Sequence, residues 1–450
     1  MSKLKQLKYV TAMGLLTFVT PVLSQQSSHS LVEVYELALQ YDARFNAARA
    51  DREASQELLP QARSQLLPDI SANVNLDYID QETEYSGSAP FPSGERDFRS
   101  DSYGVKLTQP LYRKDRFEQY KQAKVGISQA NTQLAIAEQT LILTVSRLYF
   151  DVLLAQENIA LAEAEQAANK EQLARAKRGF EVGSATITDV HEAQSRFDLA
   201  TAHEIATRNQ EQIARRKLSK FIGLYPKQLK GLGDDPILNP PQPADLNHWT
   251  ELAAKNNLSV LLAQKQVEIS SLEIERVRGV AYPSLDLVLS YDNRSADDSS
   301  FGVGTDTTEA RIGLEAKIPL YAGGAVGSHV RQKTAMRNSA KLQLDAAHRD
   351  AMLQAEDAYL SLTSGLRQIE ALNQALLSSE KTLASTERGF ELGLRTGVDV
   401  LNAQQQFFAA KRDLAQARYD YLYHRLQLEA AVGDLGEKDV QEIGSLLVND

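Results

Sequence analysis

The sequence predicts an α+β membrane protein in which a few barrel strands per chain continue into very long helices, all generated by a tandem duplication. Three observations predict it. A motif recurs at one fixed offset, two long stretches lack proline and carry coiled-coil spacing, and four segments of about ten residues alternate apolar and polar side chains.

The duplication constrains everything else. Arg178-Gly179-Phe180-Glu181-Val182-Gly183, Asp189-Val190, Ala193-Gln194 and Phe197 return 210 residues later as Arg388-Gly389-Phe390-Glu391-Leu392-Gly393, Asp399-Val400, Ala403-Gln404 and Phe407. Upstream, Glu36 through Pro68 maps onto Glu251 through Pro283 at an offset of 215, and Pro110-Leu111-Tyr112 maps onto Pro319-Leu320-Tyr321 at 209. The chain divides accordingly into a leader (1–24), a first repeat (25–223), a linker (224–249), a second repeat (250–433) and a tail (434–450).

Residues 1–24 carry Lys3, Lys5 and Lys8, an apolar run from Tyr9 to Val19, and small residues at Val22 and Ser24, the pattern of a secretory signal peptide. Its loss takes the net charge from −10 to −13, which disfavours nucleic acid as a partner. The absence of cysteine excludes a disulfide framework, a thiolate metal site and a cysteine nucleophile. Beyond the leader no apolar run approaches the roughly 18 residues of a membrane helix, so a mature chain that spans lipid does so with strands.

A short helix over 32–66 is kinked by Pro60. Ile70, Ala72, Val74, Leu76 and Tyr78 alternate with polar residues as a barrel strand, partnered by a segment through Tyr103, Val105 and Leu107. The second repeat has Leu285, Leu287, Leu289 and Tyr291, then Ile312, Leu314, Ala316 and Ile318. Gln81–Asp101 and Asn293–Thr308 read as polar loops, the change of offset from 215 to 209 making the first hairpin six residues longer, and Tyr112, Tyr282 and Tyr321 flank the strands as an interfacial belt. No proline interrupts 113–225 or 320–450. Helices over 113–180 and 323–390 would each extend about 100 Å at 1.5 Å per residue. Shorter helices follow at 188–221 and 397–431, and another precedes the second strand pair at 250–281. Two short helices end to end thus match one long helix. Val400, Ala403, Phe407, Ala410, Leu414, Ala417, Tyr421, His424, Leu428 and Ala431 form a seam with spacings of three and four. His424 reads as a packed or hydrogen-bonded seam residue, and Trp249 as packing at the crossing between the halves. Because open strand edges are untenable in lipid, several chains must close the barrel: two would give eight strands, three twelve.

No catalytic signature emerges: no His-Glu-x-x-His, no Gly-x-Ser-x-Gly, no phosphate loop, and Gly302-Val303-Gly304 lacks a third glycine. No catalytic, cofactor or metal residue is assigned. The repeated Arg-Gly-Phe-Glu-x-Gly stretch lies where each long helix reverses. Gly183 and Gly393 fit helix ends, and Asp189 and Asp399 fit helix starts. A simple turn leaves the repeated Arg and aromatic unexplained and points to a functional tip.

At these residues the chain resembles the TolC family of outer-membrane exit ducts, over essentially its whole mature length. The resemblance implies a homotrimer with a twelve-stranded outer-membrane β-barrel, four strands per chain, continued by a long periplasmic α-helical barrel. It implies a tip closed by bonds between helix pairs and by carboxylate rings, opened by a periplasmic adaptor and an inner-membrane transporter. Residue by residue, Arg395 matches the family's tip arginine, positioned to reach Thr188 and Asp189, and Asp399 matches the outer ring carboxylate. The inner ring position is Asn402 and the tip tyrosine is Phe390, so one charge and one hydroxyl are missing. The adaptor-contact turns become Val182-Gly183-Ser184 and Leu392-Gly393-Leu394. The competing expectation is a soluble periplasmic coiled-coil scaffold with ordinary hairpins.

Overall fold

A computed structural model describes residues 28–87, 93–233, 236–299 and 303–448. The expected leader at 1–24 lies outside the described residues, as does Gly302. The chain begins with three short helices, α1 (Leu31–Tyr41), α2 (Ala43–Gln56) and α3 (Leu58–Ser64). A hairpin follows, β1 (Asp69–Thr83) and β2 (Gly94–Tyr112), then α4 (Lys114–Glu181), α5 (Ile187–Ile222) and the short β3 (Gly231–Leu232). The pattern repeats as α6 (Leu246–Asn256), α7 (Leu258–Gly279), β4 (Ser284–Ala296), β5 (Thr305–Lys317), α8 (Ala325–Glu391) and α9 (Gly397–Val432). The chain closes with α10 (Glu437–Gly444) and β6 (Leu447–Val448), and β6 pairs with β3.

The long helices α4 and α8 contain 68 and 67 residues. Among the described residues no helix is long and apolar enough to cross a membrane. The upper short helices differ from the sequence reading, which runs each as one piece. Asp42 breaks the first and Asn257 the second, 215 residues apart, each side chain capping the helix that follows by accepting a backbone N–H. A further break falls at Glu57, next to α3, where Pro60 has no N–H to continue the ladder.

The sheet order is β1-β2-β4-β5. Every neighbouring pair is antiparallel. The registers Ile70↔Leu107, Val105↔Tyr291 and Leu289↔Ile312 carry one apolar face across all four strands. Its exposed Ile70, Val74, Leu76, Ile312 and Leu314 suit contact with lipid, and the opposite face carries Asn73, Asn75, Lys106, Asp292 and Glu315. Strands run on into the expected loops, with pairs such as Tyr78↔Arg99 and Gln81↔Arg96. A ladder needs paired backbone rather than apolar side chains. Thus β1 has 15 residues against 13 in β4, and most of the six extra residues of the first hairpin lengthen strands.

Below the sheet, α7 packs between α4 and α8 in the upper half, and α9 does so in the lower half. On the other flank of α4 lie α2 and α3 above and α5 below. The protomer is therefore a segment of wall with α5, α2, α3 and β1 along one margin and α8 and β5 along the other. Arg113 joins strand to helix by a bidentate ion pair with buried Asp286, and Glu273 on α7, held down to about 2 chiefly by Arg276, also grips Lys333 of α8 at 3.1 Å.

The densest packing is a girdle midway along the helices, built from Tyr149, Phe150, Tyr419, Leu422, Leu31, Val34, Val440 and Ile443. Trp249 is buried and donates to Pro243 O at 2.8 Å, while His424 pairs with Gln427 at 2.8 Å. Glu429 of α9 is pushed up to about 7 by burial and by Asp439 and Asp434, with Glu442 adding and Arg425 opposing. Burial also raises Asp439. The folded state thus keeps a proton that the unfolded chain releases above its normal value, so stability falls as pH rises through about 7. Replacing Glu429 by Gln should raise stability near pH 8 by about 1 kcal/mol after discounting for solvent. Thermal melts of the purified protein between about pH 5.5 and 8 should show a flatter profile for the variant. Parallel profiles would refute this assignment.

Candidate functional site at the helical tip

Both long helices end in the same backbone device. After α4, Gly183 takes a φ of 76°, its N–H donates to Phe180 O at 3.1 Å, and Ser184 N donates to Gly179 O at 2.8 Å. After α8, Gly393 takes a φ of 73°, with Gly393 N to Phe390 O at 3.0 Å and Leu394 N to Gly389 O at 2.8 Å. These are Schellman closures, which need a left-handed residue and favour glycine. The first glycine of each motif has a different cause. A Cβ on Gly179 would stand 3.0 Å from Ala185 Cβ, and one on Gly389 would stand 2.8 Å from Arg395 Cγ. The returning chain lies directly over it.

The next helix begins with a reciprocal cap in both copies. Thr186 N and Oγ1 each donate to Asp189 Oδ2 at 2.8 Å, while Asp189 N donates to Thr186 Oγ1 at 3.2 Å. In the second copy Thr396 N and Oγ1 reach Asp399 Oδ2 at 2.9 and 3.0 Å. The Thr396 amide and hydroxyl hold the Asp399 carboxyl below its ordinary range, and Arg395 adds to this. In each copy one carboxylate oxygen, Oδ2, is committed to the cap.

The two turns enclose a cavity of about 650 Å³ lined by Arg175, Arg178, Asp189, Phe390, Arg395 and Leu401, among others. It brings together Asp189, Phe390 and Arg395 of the expected gate. Thr188 is exposed and does not line it, and among the described residues no hydrogen bond joins Arg395 to Thr188 or Asp189 within one protomer. Val182, Leu392 and Leu394 are exposed apolar residues at the extremity, beside Gly183, Ser184 and Gly393. Asn402 does not stand alone: Arg196 of α5 donates to its Oδ1 at 3.2 Å and to Gln405 Oε1 at 2.8 Å. Sequence reasoning overlooked Arg196, which sits on a polar helix face outside any repeated motif. Its spacing of four from Glu192, 3.9 Å away, was the available signal.

The family model described as outer membrane efflux protein matches residues 34–224 and 249–434, the two repeats in succession. The chain belongs to the outer membrane efflux protein family. Outer membrane protein TolC of Vibrio cholerae is 32% identical over 436 residues, spanning 95% of this chain and 97% of that protein. The proteases secretion protein PrtF of Dickeya chrysanthemi is 28% identical, over 92% of this chain and 90% of its own. Among solved structures, a membrane protein of Pseudomonas aeruginosa superposes with a TM-score of 0.79 at 18% identity, covering 91% of this chain and 92% of that one. VceC of Vibrio cholerae gives 0.75 at 18% identity over 90% and 96%. The chain is a channel of the outer membrane, in a family of efflux and secretion ducts, with its helices extending into the periplasm.

Proposed function

We propose that three copies of the chain close one barrel and one helical tunnel, forming a passive exit duct whose periplasmic tip opens when an adaptor and an inner-membrane transporter engage. The two unlike margins of the protomer support closure into a ring, because a head-to-tail interface repeats until the ring closes. The observation that carries the gate is the cavity in which Arg395 of one turn and Asp189 of the other lie together. In this reading Arg395 bonds Thr188 and Asp189 across neighbouring helix pairs, three Asp399 side chains face the axis, and Phe390 and Asn402 complete the constriction. The exposed turns Val182-Gly183-Ser184 and Leu392-Gly393-Leu394 receive the adaptor. The leader at 1–24 and the division into repeats at 25–223 and 250–433 belong to the same proposal.

Arg395→Ala and Asp189→Ala should each raise single-channel conductance in planar bilayers. Thr186→Ala, which breaks the same cap but keeps Asp189, should raise it less. Each exposed contact opposes opening by about 1 kcal/mol or less, so a single loss shifts the open population several-fold at most. Unchanged conductance in both Arg395→Ala and Asp189→Ala would remove the gate from these residues.

A further inference from the structure

β1 and β5 are the free edges of the sheet, and the duplication supplies a template for what covers them. Within the chain, β2, the second strand of the first repeat, lies beside β4, the first strand of the second. β5 repeats β2 at an offset of 209, and β1 repeats β4 at 215. A junction between β5 of one protomer and β1 of the next is therefore a second copy of the β2–β4 junction. The internal register pairs Gly104 with Asp292, Val105 with Tyr291 and Leu107 with Leu289. Transferred by the two offsets, it pairs Gly313 with Asp77, Leu314 with Leu76 and Ala316 with Val74.

An independent observation selects this register. Gly104 leaves room for its neighbours as they lie: a Cβ there would stand 2.3 Å from Asp292 Oδ1 and 3.1 Å from Asn73 Oδ1, and both side chains would have to turn away. Gly313, its repeat, has open space around it within the protomer, and Asp77, the repeat of Asp292, is exposed. Glycine in the interior of a strand weakens it and marks a close approach. Both residues recur on the edge strands, where among the described residues nothing lies within 4 Å of a Cβ added at Gly313 and Asp77 is exposed. We infer that Gly313 is a notch that receives Asp77 of the next protomer and fixes the register of the seam between chains, which rests on the trimeric reading above.

The neighbouring positions agree. A slip of one residue would set the apolar face against the polar one and is excluded by the pleat. A slip of two in one direction places Glu315 opposite Asp77, two like charges. A slip of two in the other sets Arg311 opposite Asp77 but leaves Gly313 opposite Asn75, so the notch no longer receives the acid. In the inferred register Arg311 lies diagonal to Asp77, within reach across the pair. One internal feature is not copied: the positions of Arg113 and Asp286 become Ala322 and Ser71, so the seam has the notch without the ion pair.

The chain has no cysteine, so engineered pairs report on a clean background. The full chain carrying Asn75→Cys with Glu315→Cys is expressed, and oxidised outer membranes are run on non-reducing gels. Facing residues lie within disulfide reach, whereas a shift of two exceeds about 7 Å, so this pair should yield at least about tenfold more cross-linked dimer and trimer than Asn73→Cys or Asp77→Cys with Glu315→Cys. Stronger linking by either shifted pair would overturn the register and leave the trimer standing. No linking by any pair would mean that these edges never meet, and the trimeric barrel would fall with the seam. Gly313→Val should also reduce the gel-stable oligomer severalfold, and adding Asp77→Gly should restore it. A Gly313→Val protein that assembles like the parent would overturn the notch.

Discussion

Tyr149→Ala is expected to cost about 4 kcal/mol of folding stability, lowering the melting midpoint by several degrees. The side chain is fully buried in the girdle, edge-on to Phe150 at a centroid separation of 6.2 Å, and Phe150 in turn faces Tyr419 at 6.0 Å. Its hydroxyl lies 2.8 Å from Lys230 O and 3.0 Å from His29 O. One side chain of α4 therefore fastens the entry to the first helix and the linker strand to the middle of the wall. Truncation removes the ring, leaves a cavity and releases both segments. Tyr149→Phe keeps the ring and should lose only about 1 kcal/mol, because Lys230 N still donates to His29 O at 3.1 Å. Circular dichroism melts of the detergent-solubilised protein separate the two. An alanine variant that melts with the parent would show that the girdle does not depend on this contact.

Gly433→Val should cost about 3 kcal/mol or more, through two separate terms. Gly433 ends α9 with a φ of 82°, where a β-branched residue is strained, and a Cβ there would stand 2.3 Å from Asn256 O. That oxygen is backbone and sits at the α6–α7 break, which is itself pinned by Asn257 Nδ2 donating to Ala431 O at 2.9 Å. Neither side has room to move. Gly223, the repeat of Gly433, is a useful contrast. Its φ is 73°, but its added Cβ would meet the ring of Tyr41, which is 59% exposed and free to swing aside. Gly223→Val should therefore retain most of the backbone term and lose most of the steric one. Equal melting shifts for the two variants would refute this account of the α6–α7 joint.

Periodicity and proline placement made the long elements legible, because α4 and α8 bury narrow stripes along an unbroken ladder and nothing local competes. The seam of α9 is buried at Val400, Ala403, Leu414, Ala417, Tyr421, Leu428 and Ala431, as its spacing requires. The breaks at Asp42 and Asn257 were hidden because helical spacing continues through them. Only the recurrence of a capping residue at the shared offset signals them. The tail at 434–450 gave no helical signal of its own, since α10 is 8 residues long and exists by docking Val440 and Ile443 into the girdle. At the tip, the glycines and the capping aspartates followed from turn chemistry. The Arg196 contact to Asn402 and Gln405 did not, because it depends on how α5 and α9 sit side by side, which no local pattern encodes.

The two bare strands have a consequence for biogenesis. A lone protomer offers lipid two rows of unsatisfied amide and carbonyl groups, each costing several kcal/mol in hydrocarbon, and so has no favourable residence in the bilayer. Insertion must then wait for siblings, which makes stoichiometry a condition of entry rather than a later refinement. In the proposed trimer a subunit with a damaged edge would leave one seam with unpaired backbone groups in lipid, and the barrel could not close around it.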